Sequence, residues 1–381
     1  MPSARAIAYY LPQYHPVPEN DEWWGKGFTE WTNTAKARPL FSGHYQPHVP
    51  TELGFCDLRV PETREAQAQL AREHGIEAFC YYHYWFGHGR RLLERPFEEV
   101  LASGKPDLPF CLCWANETWT GVWHGATNRV LVRQNYPGVA DEEHHFATLL
   151  PAFRDPRYVT VEGKPLFLVY SPHELPDPVG FTTRWRRLAA RAGLPGLYLL
   201  GVQNEPWSPE DNGFDGATVR NLHRAYVLDG GEWSTRIRHH VRRLQGRPKR
   251  FYRYADALRR FASEECRQPH KHPCAIPNWD NTPRSGLRGL VLHDSTPELF
   301  RTHLRTLLAQ IATKPAEHRL LFVKSWNEWA EGNHLEPDLR FGRAYLEVLR
   351  DELGSQAFHS AVLRTSADSS HPHLTPQVAR P

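Results

Sequence analysis

Long apolar runs and paired cysteines are missing from this sequence, and their absence argues against membrane-spanning and disulfide-stapled proteins. No run reaches about 18 apolar residues, the length that a membrane span requires, and the first residues carry no pattern of a secretory signal. The six cysteines include no C-x-x-C pair, which argues against a zinc ribbon. Several lie inside apolar runs, where a buried thiol is the common outcome. We therefore expect a cytoplasmic protein, with peripheral attachment at the inner membrane as a second expectation.

Several motifs of nucleotide, metal and ester chemistry are also absent. The sequence contains no G-x-S-x-G, no Walker A loop and no G-x-G-x-x-G, which argues against an esterase, a nucleoside triphosphatase and a dinucleotide-binding enzyme. Its histidines are scattered without H-E-x-x-H, so that neither a metal site nor a cofactor is expected. Nucleic acid is not an expected partner, because the basic segment described below is poor in aromatic residues at its start.

Aromatic residues, by contrast, are abundant. The chain has 13 Trp, 15 Tyr and 18 Phe, and Trp recurs beside polar residues instead of inside apolar stretches. A Trp ring offers a flat apolar face and an available N–H group, which suits the mixed surface of a sugar ring. These residues indicate sugar-stacking platforms, with packing in the core or at the rim as the alternative for any single Trp. A polysaccharide or oligosaccharide is therefore the expected partner.

Short apolar runs alternate with amphipathic stretches, the pattern of buried parallel strands covered by helices. The runs predicted as strands are 4–11, 76–82, 108–113, 166–170, 197–202, 214–219, 273–277 and 320–325. The stretches predicted as helices are 61–74, 94–103, 141–153, 181–192, 296–313 and 341–352. Eight strands favour an α/β fold of the (β/α)8 TIM barrel type, with a doubly wound open sheet as the second choice.

The barrel is predicted as one domain over residues 1–354, and two segments depart from the alternating pattern. Residues 220–271 carry 14 Lys and Arg against 5 Asp and Glu. We interpret them as a basic insertion that contacts a lipid-linked or anionic glycan, with a solvated helical face as the alternative. Residues 355–381 are polar, rich in Ser, His and Pro and without periodicity, which predicts a flexible tail.

Aromatic, amide and carboxylate residues follow most of the predicted strands. They occur in the stretches YYLPQYHP, FCYYHYWF, CLCWANETW, VYSPHE, GVQNEPW, IPNWDNTPR and KSWNEWAEGNHLEP. In a TIM barrel the positions after the strands meet at the C-terminal rim, where active sites lie. The sequence therefore predicts a polar and aromatic site at this rim.

Two glutamates in the last of these stretches are candidates for catalysis. Glu328 and Glu331 are three residues apart, and even an extended chain separates them by only about 10 Å. Glycoside hydrolysis needs two carboxyl groups roughly 5 to 9.5 Å apart whose pKa values differ because of their surroundings. Trp326 and Trp329 would supply an apolar wall that keeps one carboxyl protonated. A solvated acidic loop is the alternative.

Four stretches together carry a resemblance to a known family. LPQYHPVPENDEWWGKGFTEWTN, PFCLCWANETW, PNWDNTPR and SWNEWAEGNHLEPD closely resemble the WbsX-like group of bacterial polysaccharide-biosynthesis proteins, which is similar to glycoside hydrolase family 99. The likeness runs from about Ile7 to Leu353. Family 99 proteins are (β/α)8 barrels that act as retaining endo-α-mannosidases or endo-α-mannanases. The resemblance implies the same fold and an activity on α-linked mannose-type glycosides.

The resemblance also implies roles for individual residues. The family signature E-W-H-E-G-T appears here as residues 328–333, EWAEGN. By position Glu331 is the general acid, and Glu328 is the base that helps the sugar 2-hydroxyl attack C1, giving a 1,2-anhydro intermediate. Ala330 and Asn333 depart from the signature, which leaves the mannose preference open. The expected substrate contacts are Tyr82, His83, Trp114, Asn116, Glu117, Tyr170, Trp279, Asp280, Trp326, Asn327 and Trp329.

Two other functions stay open. The WbsX-like group is commonly described as glycosyltransferases of O-antigen and lipopolysaccharide biosynthesis, and Glu328 and Glu336 show the E-x7-E spacing of some retaining transferases. Such transferases usually carry two Rossmann-like halves or a D-x-D motif, and the sequence has neither. A polysaccharide-binding protein without catalysis is the second alternative. Dependence on a nucleotide sugar separates a transferase from a hydrolase, and binding without turnover identifies the third function.

Overall fold

The computed structural model describes residues 3–121, 129–203, 206–222, 225, 238–242 and 244–354. The predicted tail, residues 355–381, lies outside the described residues, as do residues 223–224, 226–237 and 243 of the predicted basic insertion. The domain boundary at residue 354 and the flexibility of the tail therefore stay predictions.

Eight parallel strands close into a barrel. They are β1 Arg5–Tyr10, β2 Ile76–Trp85, β3 Phe110–Trp114, β4 Lys164–Val169, β5 Tyr198–Gln203, β6 Gly216–Val219, β7 Lys271–Ala275 and β8 Leu320–Val323. Each strand pairs in parallel with the next along the chain, and β8 pairs with β1, where Ala8 lies opposite Val323. The predicted (β/α)8 barrel is thereby confirmed, and the doubly wound open sheet is wrong because no barrel strand is left as an edge.

All eight predicted strands are present, and their composition explains why. In β8 the four residues Leu-Leu-Phe-Val are all fully buried, and in β4 the five residues after Lys164 are buried as well. A strand covered by helices on one face and by the filled barrel on the other needs apolar residues at successive positions. Continuous apolar runs of this length therefore mark the barrel strands.

The helices that cover the barrel include all six predicted from the sequence. In the described residues they are α1 Pro61–Glu73, α2 Arg95–Ser103, α3 Val139–Phe153, α4 Pro178–Arg191, α5 Tyr254–Phe261, α6 Pro297–Ile311 and α7 Ala344–Leu353. Proline occupies the first turn of α1, α2, α4 and α6. N–H groups of the first turn have no partner within the helix, so that proline breaks no helical hydrogen bond there. Helix α5 was not predicted, because it lies inside the basic insertion.

Shorter elements lie in the loops. Short helices span Pro18–Trp24 and Glu30–Lys36 after β1 and Thr282–Ser285 after β7, and the 3-10 turns are Pro172–Glu174, Glu210–Asn212, Glu264–Arg267, Gly286–Arg288, Ala316–His318 and Trp329–Glu331. The loop strands form the pairs Trp119–Thr120 with Val130–Val132, Arg250–Arg253 with Leu290–His293, and Asn327–Glu328 with Asn333–His334. Arg91–Leu92 pairs with β2, and Thr160–Val161 with β4. Several of these elements surround the C-terminal end of the barrel.

The core joins the barrel interior to the layer between strands and helices. Its largest fully buried side chains include Trp85, Trp185, Trp326 and Trp329, so part of the Trp content serves packing. All six cysteines are free and buried, as expected for thiols in apolar runs. Among the described residues, no helix has both the length and the apolar character that crossing a membrane requires.

Candidate active site

A cavity of about 480 Å³ opens at the C-terminal end of the barrel. Strands β1 to β4 and β6 to β8 each contribute residues at or just beyond their ends. Its walls are formed by Leu11, Gln13, Asn20, Trp24, Glu30, Tyr82, Tyr84, Ala115, Glu117, Thr118, Trp119, Thr120, Leu131, Tyr170, Arg220, Leu222, Arg250, Trp279, Asn281, Arg284, Leu290, Lys324, Glu328 and Glu331. The lining combines aromatic rings with four carboxyl groups and four basic side chains.

A tight hairpin after β8 carries both candidate glutamates. Its strands Asn327–Glu328 and Asn333–His334 pair antiparallel, and the 3-10 turn Trp329–Glu331 joins them. Gly332 closes the turn with φ +49°, and a Cβ atom at this position would lie 2.9 Å from the backbone oxygen of Asp280. Only glycine fits both the left-handed conformation and the close approach. The Gly of the E-W-A-E-G-N signature thus fixes the shape of the hairpin.

Hydrogen bonds from the loop after β1 hold the hairpin in place. The Asn327 side chain accepts from the Leu11 backbone N–H at 2.8 Å and donates to the Leu11 carbonyl at 3.1 Å. The Tyr14 hydroxyl donates to the carbonyl of Asn327 and accepts from the N–H of Trp329 at 3.0 Å. All of these atoms are buried, so that the hairpin is fixed where it enters the cavity.

Glu328 has a buried ammonium group beside its carboxyl. The Nζ atom of Lys324 donates to Oε2 of Glu328 at 2.8 Å, and the backbone N–H of Glu328 donates to Ser325 Oγ at 2.9 Å. Burial raises the pKa of Glu328 to about 8 against the opposing effect of Lys324, and the charge of Glu331 raises it further. Glu328 therefore favours its protonated form at neutral pH.

Glu331 has the opposite electrostatic environment. Arg284 donates to Oε1 of Glu331 at 2.6 Å and reaches Oε2 of Glu30 at 2.9 Å. Burial opposes ionisation of Glu331, but Arg284 and a hydrogen bond from Glu328 outweigh it and lower the pKa to about 2. Burial raises the pKa of Glu30, although Arg284 opposes this. Glu331 is thus ionised over the whole neutral range.

The two carboxyl groups of the hairpin lie within hydrogen-bonding reach of each other. Because two carboxylates at this distance cannot both be ionised cheaply, Glu328 and Glu331 titrate as a pair that shares one proton. The pair holds that proton on Glu328, whereas the resemblance gives the proton-donating role to Glu331.

Four of the predicted substrate contacts line the cavity together with the glutamate pair. The Tyr82 hydroxyl lies 3.4 Å from Lys324 Nζ, and the Trp279 ring has the same Nζ 5.3 Å from its centre. The Tyr170 hydroxyl accepts a hydrogen bond from Arg220. Glu117 accepts from the hydroxyl of Ser171 at 3.0 Å. These side chains surround the carboxyl pair with rings and polar groups suited to a sugar.

Three predicted contacts in or just after β2 and β3 do not line the cavity. They are His83, Trp114 and Asn116, whose side chains point away from it. The rings of His83 and His145 hydrogen-bond at 2.8 Å, Trp114 donates to the carbonyl of Trp85 at 2.9 Å, and Asn116 donates to the carbonyl of Ser171 at 2.8 Å. Because successive residues of a strand point to opposite faces, Tyr82 faces the cavity while its neighbour His83 faces the helices.

Four further predicted contacts, which follow β7 and β8, also lie outside the cavity wall: Asp280, Trp326, Asn327 and Trp329. Asp280 accepts hydrogen bonds from His44 at 2.6 Å and from Gln46 at 2.9 Å. Trp326 is fully buried in the core, and Trp329 donates to the carboxyl of Glu336 at 2.6 Å. These side chains support the loops that carry the glutamates.

Sequence reasoning missed several residues of the cavity. Lys324, Arg284 and Glu30 form ion pairs with the glutamates or with each other, and Trp24 and Trp119 add aromatic walls. Lys324 lies four residues before Glu328 at the end of a predicted strand, and this position in the sequence could have identified it as a site residue. The pairing of Arg284 with Glu30 joins loops 254 residues apart, and no local pattern indicates it.

One group of buried side chains has the composition of a metal site. His48, His334 and Asp338 offer ligand atoms within 4.8 Å of one another. The imidazoles of His48 and His334 already hydrogen-bond at 2.8 Å, and the second nitrogen of His334 donates to the carbonyl of Glu336 at 2.9 Å. These hydrogen bonds occupy both nitrogens of His334 and the Nδ1 atom of His48. The group lies outside the cavity, and the expectation that no metal is needed stays a prediction.

Comparisons with known proteins agree with this architecture. The sequence profile of the family described as glycosyltransferase WbsX matches residues 6–349. Proteins called uncharacterized protein WxcX, from two strains of Xanthomonas campestris pv. campestris, are 40% identical over 368 and 364 residues and cover 92% of this chain. The chain spans about half the length of these relatives, since the alignment covers 50% of each.

Two solved structures are similar to this chain over most of its length. The GH99 endo-α-mannosidase from Bacteroides thetaiotaomicron, in complex with BIS-TRIS-propane, has a TM-score of 0.54 at 13% identity and covers 96% of this chain and 99% of its own. A glycoside hydrolase-like protein has a TM-score of 0.56 at 13% identity, over 92% of this chain and 94% of its own. At such identities the likeness establishes the fold alone.

Proposed function

The chain belongs to the glycosyltransferase WbsX family, and we propose that it is a carbohydrate-active enzyme that cleaves or transfers α-linked mannose-type glycosides of a bacterial polysaccharide with retention. The observation that carries this proposal is the pair Glu328 and Glu331, which faces an aromatic-lined cavity at the C-terminal end of the barrel. Burial raises the pKa of Glu328, whereas Arg284 lowers the pKa of Glu331, so that the surroundings drive the two pKa values apart. General acid–base chemistry on a glycoside requires this difference.

The proposed reaction has two steps and forms no bond to the enzyme. In the first, Glu328 takes the proton of the sugar 2-hydroxyl, O2 attacks C1, the glycosidic C1–O bond breaks, and Glu331 gives a proton to the leaving oxygen. In the second, Glu331 takes a proton from water or an acceptor hydroxyl, whose oxygen attacks C1. The C1–O2 bond of the 1,2-anhydro sugar breaks, and Glu328 returns the proton to O2. Two inversions at C1 give retention.

This sequence of steps needs the single proton of the pair on Glu331 when the sugar is bound. Without sugar the pair favours Glu328 as the protonated partner. The short path between the two carboxyl groups allows the proton to move from Glu328 to Glu331 as the 2-hydroxyl takes its place beside Glu328. The Lys324 ammonium then faces the ionised form of Glu328, which it stabilises.

Two departures from the family signature lie within the hairpin, at residues that do not line the cavity. Ala330 is fully buried, and the side chain of Asn333 donates to the carbonyl of Asn278. Neither residue lines the cavity, so that both act on the sugar only through the position of the glutamates. Preference for mannose is thus proposed from the family likeness, and the walls formed by Tyr82, Tyr170 and Trp279 are the parts that would contact the sugar.

A transferase is the second candidate, and the family description favours it. The E-x7-E spacing gives it little support, because Glu336 accepts hydrogen bonds from Trp329 and Gln67 at 2.6 Å each and does not line the cavity. We propose further that the substrate is a lipid-linked or anionic glycan. Arg220 and Arg250, both from the basic insertion, lie in the cavity wall and would contact such a glycan.

Release of new reducing ends tests the proposal. The 381-residue protein is incubated with α-mannose- and deoxyhexose-containing polysaccharides, with and without nucleotide sugars, and reducing ends and products are measured. New reducing ends without a nucleotide sugar are the expected result. Product formation only with a nucleotide sugar would replace the hydrolase by the transferase. Binding of a polysaccharide without turnover under either condition would contradict both enzymes.

A further inference from the structure

Five charged side chains at the reaction centre are joined to one another by ion pairs and by the hydrogen bond between Glu328 and Glu331. Three are carboxyl groups, Glu30, Glu328 and Glu331, and two are cations, Lys324 and Arg284. Each has at most about an eighth of its side chain exposed. Glu117 and Arg220 lie in the same cavity wall, and the charge of Arg220 also lowers the pKa of Glu331. Because two carboxyl groups within hydrogen-bonding reach cannot both be ionised cheaply, Glu328 and Glu331 share one proton. The position of that proton decides which glutamate acts as the base.

The cations are divided unequally among the carboxyl groups. Arg284 contacts Glu331 and Glu30 together, so that its charge is shared between two acids. Lys324 contacts Glu328 at 2.8 Å, and the Tyr82 hydroxyl and the rings of Tyr82 and Trp279 lie near the same Nζ atom. The charge of Lys324 also lowers the pKa of Glu331 and Cys274, with which it forms no hydrogen bond. The ammonium of Lys324 therefore acts on Glu328 above all other groups.

We propose that Lys324 is a positioning residue, whose ammonium group holds the Glu328 carboxyl in place and favours its ionised form, the form that accepts the proton of the sugar 2-hydroxyl. This inference rests on the proposed function. Lys324 itself neither gives nor takes a proton in the reaction. It acts because an opposite charge within about 4 Å stabilises a carboxylate strongly in a site that excludes water.

Removal of the charge has a defined consequence. Without the ammonium, burial and the charge of Glu331 both favour the protonated form of Glu328, and the charge of Arg284 is left to oppose them. The pKa of Glu328 should rise from its present value of about 8 by about one unit or more. At neutral pH the ionised fraction of the base then falls about tenfold for each unit.

A titration without substrate tests this directly. Protein labelled with 13C at the glutamate carboxyl carbons is titrated by NMR, and Glu328→Gln identifies the signal of Glu328. The variants are Lys324→Met and Lys324→Gln, with Lys324→Arg as the charge-retaining variant. The matched control is Lys314→Met, because Lys314 is another buried lysine but donates to the carbonyl of Lys271, away from the cavity.

The expected result is a higher midpoint for Glu328 by at least about one pH unit in Lys324→Met and Lys324→Gln, with Lys324→Arg and Lys314→Met near the wild type. Unchanged midpoints in folded Lys324→Met and Lys324→Gln would overturn the proposal, and so would an equal shift in Lys314→Met. If Lys324→Met does not fold, Lys324→Gln alone decides, since the amide keeps a hydrogen-bond donor.

Turnover separates this inference from the proposed function. With an active substrate, kcat/KM of Lys324→Gln should fall at neutral pH because the shared proton is held more firmly on Glu328, and the basic limb of its pH profile should move to higher pH by the same interval. Lys324→Arg should restore both. If the NMR midpoint shifts but the protein has no glycosidase activity, the effect of Lys324 on the ionisation of Glu328 is supported and the hydrolase function is rejected. An active enzyme whose profile does not move would reject the role of Lys324 alone.

Discussion

Arg284 and Glu331 form a buried ion pair, with 2.6 Å between Nη1 of the guanidinium and Oε1 of the carboxyl. The two residues come from the loops after β7 and β8, and Glu30 from the loop after β1 completes the group at 2.9 Å. The closed barrel brings these three loops together, since β8 lies between β7 and β1. The pair therefore links the geometry of the active site to the stability of the fold.

Arg284→Met should destabilise the protein by about 3–5 kcal/mol, because it leaves two buried carboxyl groups without their cation. Urea unfolding monitored by Trp fluorescence measures the change. Arg343→Met is the control: Arg343 pairs with Glu52 in a half-exposed position, where such a pair contributes only about 0–1 kcal/mol. A double variant Glu30→Gln/Arg284→Met should recover part of the loss. Equal effects of Arg284→Met and Arg343→Met would contradict the buried pair.

Trp119→Ala should weaken the binding of an oligosaccharide substrate about 5- to 30-fold, the equivalent of roughly 1–2 kcal/mol of lost stacking and apolar contact. Trp119 is half-buried and lines the cavity. Trp207→Ala is the matched control, because Trp207 is also half-buried but packs on Phe214 outside the cavity wall. Calorimetric titration provides both affinities. A comparable loss in Trp207→Ala would show that the effect comes from general destabilisation.

Asn327→Ala should lower stability by about 2–4 kcal/mol, because it leaves the buried N–H and carbonyl of Leu11 without partners. The sequence alone predicts Asn327 as a substrate contact, whereas the structure makes it a support of the hairpin. A substrate contact would lose affinity in the variant, and a support would lose stability. Chemical denaturation gives the stability, and the residual folded protein gives the affinity for substrate. A fully stable variant with weakened binding would favour the direct contact.

His303→Leu should make stability less dependent on pH. Burial lowers the pKa of His303 to about 3 from its ordinary value of 6.5, so that below pH 6.5 the unfolded chain takes up a proton that the folded protein does not. Stability is therefore lost as pH falls from 6.5 toward 3, by about 1.4 kcal/mol for each pH unit. Between pH 7.5 and 5.0 the wild type should lose roughly 2 kcal/mol more than His303→Leu.

Urea unfolding at both pH values measures this difference, because other titrating groups are common to both proteins. His173→Leu is the control, since the His173 side chain is 63% exposed and is solvated in both states. Parallel pH dependence of wild type and His303→Leu would contradict the burial of a neutral imidazole in α6.

The barrel was predictable because its determinants are local. Continuous apolar runs such as β8 need burial on both faces, and the amphipathic stretches between them provide the cover. The candidate pair was accessible for the same reason, since Glu328 and Glu331 belong to one hairpin. Helix α5 was missed because its buried residues Tyr254, Ala257 and Phe261 lie among charged ones.

The remaining site depends on side-chain direction and on contacts between distant loops. Glu328 and Glu331 point into the cavity, whereas the intervening Trp329 and the adjacent Asn327 point away. Closeness to the glutamates in the sequence therefore predicts more substrate contacts than the cavity contains. Arg284 meets Glu331 only because the barrel closes. Neither feature follows from residue types and spacing.

Turnover by the glutamate variants tests the central claim most directly. On a polysaccharide that the wild type cleaves, Glu328→Gln and Glu331→Gln should each lower the rate by about 10²- to 10⁴-fold while sugar binding and the fold are kept. Glu94→Gln, at a partly exposed position before α2, should keep the wild-type rate. Wild-type rates in folded Glu328→Gln or Glu331→Gln would contradict the assignment of this pair as the catalytic acid and base.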